Sequence, residues 1–289
     1  MSIKIWNRRE NKYIYVEQYH QKSLDFLYHT KIGRVLLKTI VTRKAISKIY
    51  GRYQSSKLSK RKIEKFIATY HIDMNDYEKV DYQNFNEFFS RKIKNEKRKV
   101  IYDDDILISC CDAKLTRYKI DENLKIKVKN SIYTIGDLIQ DEKEAFNYQN
   151  GECLVFRLTI DDYHRYIFFD DGGLEYHKKI NGVLHTVSSI SKDYPVFSRN
   201  SREISKLKTK NFGEVLYIEV GALLVGKIKN YHQAKFKRGE EKGFFEFGGS
   251  TIILLFQENK LKIDDDIIQN SSNHIESKVL LGEKIGGKV

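Results

Sequence analysis

Two glycines and two hydroxyl side chains come directly before an apolar run in the segment FFEFGGSTIILLF at 244–256. One interpretation is structural, because Gly-Gly favours a hairpin or bulge and Ile-Ile-Leu-Leu-Phe has the character of a buried strand. The other is chemical, because glycine permits close approach and a strained backbone. The hydroxyl of Ser250 can then attack the carbonyl carbon of Gly249 and convert the peptide bond into an ester. Spacing alone leaves both interpretations open.

Further polar groups in the chain are of the types that such a reaction needs. Asp112 follows an apolar run in SCCDAKL, where it is either a turn residue or a buried partner that orients a histidine. His164 lies in RLTIDDYHRYIFFDDG and is either a satisfied structural side chain or a base. FSRNSREI reads as a polar turn, and Gly221 and Gly226 in VGALLVGKI indicate close approach by another backbone or a ligand.

The composition bounds the class of protein that must hold these residues. At 289 residues the chain fits one large domain or a domain with an extension, and its 40% hydrophobic and 12% aromatic content indicates a packed globular protein. Three cysteines without zinc spacing suggest a reducing compartment. The N-terminus is too polar for a signal peptide, and the apolar runs are shorter than the roughly 20 residues of a spanning helix. We therefore expect a cytoplasmic protein that does not cross a membrane.

The N-terminal region has helical periodicity. Apolar residues recur at steps of three, four and eight from Leu24 to Tyr50, and the pattern stops at Gly51. A further helix is expected with Ser59 as its N-cap. Its buried face would consist of Ile63, Phe66, Ile67 and Tyr70. The pattern predicts three short helices over roughly 20–72.

The same region carries most of the net charge of +13, with twelve Lys or Arg against one Glu between Lys31 and Lys65. One interpretation is a solvated subdomain kept soluble by its lysines. Another is an anionic membrane surface, where each Lys or Arg contributes about 1 kcal/mol; Lys31, Arg34 and Lys38 lie between apolar positions, as in an interfacial helix. Nucleic-acid binding is less favoured, because zinc-finger spacing and an aromatic RNP1 signature are absent from the sequence.

After FNEFFSRKI the pattern changes to short apolar or alternating runs such as ILISC, LKIKV, CLVFRLTI, YIFF, VLYIEVGALLVGKI, STIILLF and LKIDDDII. Such runs are typical of strands, and one helix is expected at Ile135–Ile139. The sequence therefore predicts an α+β fold in which short basic N-terminal helices (1–95) pack on a β-rich catalytic domain (96–289).

Taken in this order, the motifs resemble the phosphatidylserine decarboxylase family, whose members are made as proenzymes and generate their own pyruvoyl group. The resemblance runs from about Leu27 almost to the C-terminus. It is carried by FNEFFSRKI, SCCDAKL, YTIGDLI, RLTIDDYHRY, VFSRNSREI, VGALLVGKI, KGFFEFGGSTIILLF and VLLGEKIG.

The resemblance implies that Ser250 is the nucleophile and the precursor of a covalent pyruvoyl cofactor (pyruvate), with self-cleavage between Gly249 and Ser250. Asp112 matches the family aspartate of the self-cleavage relay. The pyruvoyl carbonyl would form a Schiff base with phosphatidylserine and act as the electron sink while CO2 leaves, giving phosphatidylethanolamine. The implied enzyme is a peripheral protein on the cytoplasmic side of the cell membrane. Its two cleaved chains associate, a homodimer is the further option, and neither metal nor nucleic acid is expected.

One position departs from the family pattern. His164 matches the first of two family histidines in Tyr-His-Arg-x-His, but the second, which is the relay base, falls on Ile167. The base must then be His164, another histidine such as His177 or His185, or a positioned water. Our hypothesis is that His164 helps, either as the substitute base or in decarboxylation. Two alternatives remain: a family member that does not process itself and acts as a lipid-binding or scaffold protein, and a basic nucleic-acid-binding module.

Overall fold

The computed structural model of this chain describes residues 2–17, 21–37, 44–128, 131–183, 196–222, 227–248 and 250–289. The α-helices in these residues are α1 Gln21–His29, α2 Lys31–Leu36, α3 Lys44–Gln54, α4 Ile63–Tyr70, α5 Phe85–Phe89, α6 Ile135–Ile139, α7 Glu142–Ala145, α8 Val196–Arg199 and α9 Asp265–Ser272. Within them, no helix is long and apolar enough to span a bilayer.

The strands are β1 Ser2–Asn7, β2 Lys12–Glu17, β3 Ile106–Ile108, β4 Ala113–Lys119, β5 Lys125–Val128, β6 Ser131–Thr134, β7 Glu152–Leu158, β8 Arg165–Ile167, β9 Gly172–Ile180, β10 Arg202–Thr209, β11 Glu214–Gly221, β12 Ile228–Asn230, β13 Lys235–Phe236, β14 Glu241–Phe245, β15 Ser250–Phe256, β16 Lys262–Ile263, β17 Glu276–Val279 and β18 Lys284–Gly287. In the described ranges they form a ten-stranded sheet in the order β13-β9-β10-β11-β15-β7-β4-β17-β1-β2 and three small sheets. The predicted α+β fold is confirmed.

Strand β15 lies inside the large sheet, antiparallel to β11 on one side and β7 on the other. All of its residues are buried. Because successive side chains point to opposite faces, Ile252 and Leu254 pack in one apolar cluster while Ile253 and Leu255 pack in another. The sheet is therefore covered on both faces, which explains why STIILLF is a continuous apolar run rather than an alternating one.

The small sheets and helices cover these two faces. The sheets β12-β14-β8 and β16-β18-β3 contribute to the cluster around Ile252 and Leu254. The β5-β6 pair and α6 contribute to the cluster around Ile253 and Leu255. Helix α6 begins after Thr134, whose hydroxyl accepts a hydrogen bond from the Asp137 amide, and it has the predicted bounds.

The N-terminal helices pack on the β-rich part through α5. Its phenylalanines join α4 in an aromatic cluster, consisting of Phe66, Tyr82, Phe85, Phe88 and Phe89. Asn86 of α5 donates a hydrogen bond to Ser55 Oγ at 2.9 Å, just after α3, and accepts one from the backbone amide of Phe247 at 3.2 Å. The helical region is thereby connected to the chain that leads into β15.

Several local predictions are wrong. Gly51 does not end its helix, because α3 continues to Gln54. Ser59 is not an N-cap: it lies inside a 3-10 turn at Lys57–Lys62, where its hydroxyl bonds to backbone carbonyls and accepts from the Phe85 amide.

Three segments also differ from their predicted structure. The DDDII part of the run at 261–268 belongs to α9, whose first turn is acidic, as suits the positive end of a helix dipole. FSRNSREI contains α8 and the start of β10 rather than a polar turn. The region 1–95, described from the sequence as helical, begins with β1 and β2, and β1 pairs in parallel with β17.

Candidate active site

Ser250 is the first residue of β15 and is fully buried. It lies opposite Gly221 of β11 and Leu158 of β7, at one end of the large sheet. Its Oγ has no hydrogen-bond partner among the described residues. A buried hydroxyl without a partner is destabilising by roughly 1–3 kcal/mol, so its presence needs a reason. A role of this hydroxyl as a nucleophile, which must give its proton to a base, would be such a reason.

The residues before Ser250 form a tight connection between β14 and β15. Gly248 has φ +138°, a conformation that side-chain-bearing residues rarely adopt. Gly249, the predicted partner in self-cleavage, lies outside the described residues, as does Gly226 of VGALLVGKI. Gly221 is described, and it supplies the backbone that pairs with Ser250. The close approach predicted for Gly221 is therefore an approach of strand to strand.

His164 is buried, and the proton on its ring can be assigned from its contacts. Its Nδ1 lies 2.9 Å from the backbone carbonyl oxygen of Asp162. Because a carbonyl oxygen only accepts, Nδ1 carries the proton and Nε2 carries the lone pair. Nε2 is buried and has no partner within the described ranges. Burial lowers the pKa of His164 to about 3. The ring is therefore neutral at physiological pH, with a free basic nitrogen.

The strand register brings His164 and Ser250 to the same end of the sheet. Leu158, opposite Ser250, ends β7, and a turn closed by the Asp162 amide and the Thr159 carbonyl at 2.9 Å leads to His164. The His164 carbonyl accepts from the Phe245 amide at 3.0 Å, five residues before Ser250.

Phe89 adds a side-chain contact on the same side of the molecule. Its ring centroid lies 4.2 Å from that of His164 and 5.1 Å from that of Phe247. The histidine ring is thus packed against an aromatic side chain that also touches the connection to Ser250.

A buried ion pair holds the turn that carries the histidine. Lys114 Nζ lies 2.7 Å from both carboxylate oxygens of Asp162, and both side chains are almost fully buried. The same carboxylate accepts the Thr159 amide at 2.7 Å. This fixes the backbone of Asp162, whose carbonyl sets the His164 tautomer. The sequence analysis missed Lys114, although a lysine among the apolar residues of a buried strand is a signal.

Asp112 is 4% exposed and makes an ion pair that the sequence analysis did not predict. Arg98 Nε lies 2.8 Å from Oδ1 and Nη2 lies 2.5 Å from Oδ2, and the Leu281 amide donates to Oδ1 at 2.8 Å. Among the described contacts, Asp112 has no hydrogen bond to His164. The structure therefore shows a histidine oriented by a backbone carbonyl and an aspartate oriented by an arginine.

Ile167 takes the position of the second family histidine. Its side chain is 6% exposed in the apolar core, and its amide donates to the Cys110 carbonyl at 2.9 Å, two residues before Asp112. This position therefore adjoins the Asp112 segment, and an apolar side chain fills it. Of the other candidate bases, His177 lies near Ser205 and Glu203 on β10, whereas His185 is outside the described residues.

An open cavity of about 650 Å³ adjoins this end of the sheet. Helix α3 forms one wall, and Gly221, opposite Ser250, lines another. No group of three or more His, Cys, Asp or Glu side chains in the described part of the chain is placed to hold a metal ion. A reaction at Ser250 thus has a nucleophile, a neutral imidazole and a space for a small polar molecule.

Residues 85–287 match the family model of phosphatidylserine decarboxylase. The chain belongs to the phosphatidylserine decarboxylase family. It is 54% identical to phosphatidylserine decarboxylase proenzyme 2 of Clostridium acetobutylicum over 287 residues, covering 99% of each chain. Identity to the proenzyme of Clostridium tetani is 42% over 293 residues, covering 99% of this chain and 98% of the relative. For the Clostridium novyi proenzyme it is 40% over 294 residues, covering 99% and 100%.

The match confirms the resemblance on which the sequence analysis relied. The family assignment covers Ser250, His164 and Asp112, all of which lie within the matched residues. The roles of these three side chains in phosphatidylserine decarboxylase chemistry stay predictions.

Proposed function

We propose that this protein is a self-processing phosphatidylserine decarboxylase that converts phosphatidylserine into phosphatidylethanolamine and CO2. The observation that carries the proposal is the pair of buried, unpartnered atoms at one end of the sheet, Ser250 Oγ and His164 Nε2. A hydroxyl and a neutral imidazole are the two groups that an acyl shift onto serine requires. Membership of a family whose named relatives are proenzymes supports the same conclusion.

In the first step, Ser250 Oγ attacks the Gly249 carbonyl carbon while His164 Nε2 accepts the hydroxyl proton. The proton then passes to the departing amide nitrogen, and the peptide bond becomes an ester. A base, for which His164 Nε2 is again free, removes the Ser250 α-hydrogen, and the upstream chain leaves as a carboxylate that ends at Gly249. Water then converts the remaining dehydroalanine into a pyruvoyl group and ammonia. The downstream product is a 40-residue chain that begins at position 250.

Position 250 fits the pyruvoyl group that this sequence of steps leaves behind. The side chain at position 250 is buried. Gly248, two residues earlier, has a backbone conformation that suits a strained connection between β14 and β15. When formed, the group supplies an electrophilic carbonyl that takes up the electrons released by decarboxylation. The chain itself encloses the side chain at position 250 and keeps a base at the same end of the sheet.

The N-terminal helices support a peripheral location at the cytoplasmic side of the cell membrane. Apolar side chains there are turned to solvent: Ile32 is 69% exposed, Val35 59% and Leu58 69%. They alternate with basic residues such as Lys31 and Arg34 on short helices, as in helices that lie in a lipid headgroup region. A lipid substrate could then pass from the bilayer to the cavity beside α3.

Mass analysis of the purified protein tests the processing step. We expect a 40-residue small chain with a blocked, pyruvoyl-type N-terminus, and a single uncut chain from Ser250→Ala. Thr251→Val is the matched control, because Thr251 also has a buried, unpartnered hydroxyl but points to the opposite face of the sheet. It should be cut like the wild type. A folded wild-type sample that stays an intact 34.1 kDa chain would instead favour the non-processing lipid-binding alternative.

Release of CO2 from phosphatidylserine labelled in the serine carboxyl tests the second step. Wild type and Thr251→Val should release it, and Ser250→Ala should not. Decarboxylation by Ser250→Ala would refute the role of this residue.

Binding to vesicles tests the membrane location. Charge reversal at Lys31 and Arg34 should weaken binding to anionic vesicles, and salt should weaken wild-type binding. The sequence analysis also chose Lys38, which lies outside the described residues. Reversal of Lys260 and Lys262, exposed outside the helical region, removes the same charge and should have less effect. Equal wild-type binding to neutral vesicles at high salt would contradict electrostatic attachment.

A further inference from the structure

The cavity beside α3 reaches the strand next to Ser250. Gly221 lines it and is the residue opposite Ser250 across the β11-β15 ladder. Neighbouring strands lie about 4.8 Å apart, so a molecule that touches Gly221 is one strand spacing from position 250. The cavity volume of about 650 Å³ is ample for a phospholipid head group.

Three cations line the cavity. Lys48 and Arg52 are one turn apart on α3, and Lys227, just before β12, is the third. Within the described residues none of the three forms an ion pair. The other basic residues there are satisfied. Lys179 pairs with Glu203 at 2.7 Å, and Arg202 donates to four backbone carbonyls.

The carboxylates of the cavity do not cancel these cations. Glu203 is already neutralised by Lys179 and accepts a hydrogen bond from Asn230 at 2.9 Å. Burial raises the pKa of Glu246, and Lys227 and Lys229 are the charges near it. Lys227 is thus near a carboxylate whose burial favours its neutral form, and Lys48 and Arg52 form no ion pair among the described residues, so all three are left to attract an anion.

A buried hydroxyl points to the same ligand chemistry. Ser47 lines the cavity on α3, is 3% exposed, and its Oγ has no hydrogen-bond partner among the described residues. A buried hydroxyl is normally satisfied. An anion oxygen held by the neighbouring Lys48 and Arg52 would accept its hydrogen bond.

We propose that this cavity binds the phosphodiester group of the phospholipid substrate through Lys48, Arg52, Lys227 and Ser47 Oγ; the proposal rests on the proposed function. The phosphate is the better match than the serine carboxylate, because its charge is unchanged by the reaction. Cations on the carboxylate would stabilise the ground state that decarboxylation must leave and would slow the reaction. A phosphate beside α3 places the serine amine, a few bonds away, toward position 250.

The position of the acyl chains follows from the same helix. Ile49, next to Lys48 on α3, is 62% exposed, and Leu58 just beyond the helix is 69% exposed. A phosphodiester held by the cavity face of α3 would let its acyl chains leave along this apolar surface. The subsite is thus continuous with the proposed membrane surface.

Binding to the uncut protein tests the subsite apart from catalysis. In the Ser250→Ala background, calorimetry with water-soluble glycerophosphoserine should show binding that Lys48→Gln with Arg52→Gln weakens about 10- to 100-fold, and Ser47→Ala a few-fold. The control pair is Lys57→Gln with Lys65→Gln, which removes the same charge from exposed positions outside the cavity. It should leave binding unchanged.

Competition with inorganic phosphate distinguishes a site for the lipid phosphodiester from a site for free phosphate. We expect it to compete weakly with glycerophosphoserine. If inorganic phosphate binds as tightly, the cavity is a general anion site and the assignment to the lipid is overturned. Equal effects of the cavity pair and the control pair would likewise overturn it.

Steady-state kinetics with a short-chain phosphatidylserine, below its critical micelle concentration, test whether the subsite contributes to substrate binding during catalysis. The Lys48 and Arg52 variants should be cut normally, keep most of their kcat, and have a KM raised about 10- to 100-fold. A normal KM in a fully cut sample would refute the subsite. If the wild type is cut but releases no CO2, the proposed function fails while the calorimetry still decides the subsite.

Discussion

The His164 ring is oriented by a backbone carbonyl, whereas a carboxylate commonly orients a catalytic histidine. The Asp162 carbonyl holds the proton on Nδ1, so Nε2 always presents its lone pair. A carbonyl cannot stabilise the imidazolium as strongly as a carboxylate does. We therefore expect self-cleavage that needs His164 but is slower than a relay with an ionised aspartate would allow.

Replacing His164 by Gln should slow appearance of the small chain by about 10²- to 10⁴-fold, because general-base assistance is typically worth that much. The measurement is a time course on denaturing gels after synthesis of the chain. His177→Gln serves as the control, because His177 belongs to a different contact group near Glu203. If His164→Gln matures at the wild-type rate, His164 is not the base.

Ile167→His should accelerate maturation if the missing family histidine limits it. The new imidazole would lie in the segment whose amide bonds to Cys110, close to Asp112. Ile167→Asn, equally polar but without a base, measures the cost of a polar group in this apolar position and should give no acceleration. A faster time course with both variants, or with neither, would count against a limiting relay.

The low pKa of His164 predicts how stability depends on pH. Burial lowers its pKa from the ordinary 6.5 to about 3 in the folded chain. Between these values the unfolded chain binds a proton that the folded chain does not, so this contribution to stability is complete above about pH 6.5 and is lost as pH falls toward 3. The slope from this one group is at most about 1.4 kcal/mol per pH unit.

Urea unfolding of Ser250→Ala with and without His164→Gln measures this slope. The loss of unfolding free energy between pH 7 and pH 5 should be smaller in the chain that lacks His164. Identical slopes would mean that His164 is not buried in its neutral form.

At the scale of elements, two features define the connection between β14 and β15: a hydrogen bond from α5 and an unusual backbone conformation. Asn86 of α5 accepts from the Phe247 amide, and Gly248, two residues before Ser250, adopts its positive φ. The proposed reaction at Ser250 would depend on this connection because the attacking hydroxyl and the attacked carbonyl belong to adjacent residues.

Gly248→Ala should therefore slow self-cleavage by about tenfold, since a side chain at φ +138° introduces strain of roughly 1–3 kcal/mol. The control is Gly173→Ala, where an added Cβ would meet only the Ala234 carbonyl oxygen at an ordinary 3.4 Å. Comparison of small-chain formation in the two variants decides the matter. Equal rates would show that the Gly248 conformation has no part in processing.

Local signals in the sequence were sufficient for some elements and misleading for others. α6 and β15 were predicted from short local patterns, and in the structure an N-cap threonine and a run of branched apolar residues act over a few neighbours to form them. The acidic DDD segment was expected to extend a strand, although carboxylates in a first helical turn were the stronger signal for α9. β1 and β2 were not predicted although both alternate, because β1 also pairs with β17, near the opposite end of the chain.

Candidate site residues could be chosen from the sequence only where they belong to a recognisable motif. Ser250 and His164 were chosen from their segments, and their roles stay predictions. The Arg98 partner of Asp112 was not predicted, since it comes from a loop 14 residues upstream whose path depends on tertiary packing. Lys114 and Ser47 likewise become functional candidates only when burial is known. A buried, unsatisfied atom has no signature in a sequence.

At the scale of the whole molecule, the proposed cut falls at the start of a strand that is paired on both sides. The downstream chain would contribute β15, α9 and β17, and β1 of the upstream chain pairs with β17. Arg8 of the upstream chain also binds Asp264 and Asp266 at 2.7 Å. Cutting the backbone therefore removes one covalent link and leaves the interface between the two chains intact.

The two chains should consequently elute together in native size-exclusion chromatography and separate only in denaturant. Arg8→Ala should lower the denaturant concentration at which they separate, because it leaves Asp266 and Asp264 without their partner. Arg9→Ala, next in sequence and outside these pairs, is the control. Loss of the small chain from native wild-type protein would contradict the paired position of β15.

The central place of β15 also bears on how long a mature molecule lasts. The fold is completed by one continuous chain, yet the proposed reaction leaves two pieces whose original join has been destroyed. Once the pieces drift apart, restoring them is a bimolecular event, and nothing re-forms the lost peptide link. The lifetime of the cut protein is then governed by its unfolding rate rather than by an equilibrium constant. The hydrogen-bonded ladders on both sides of this strand would set that rate.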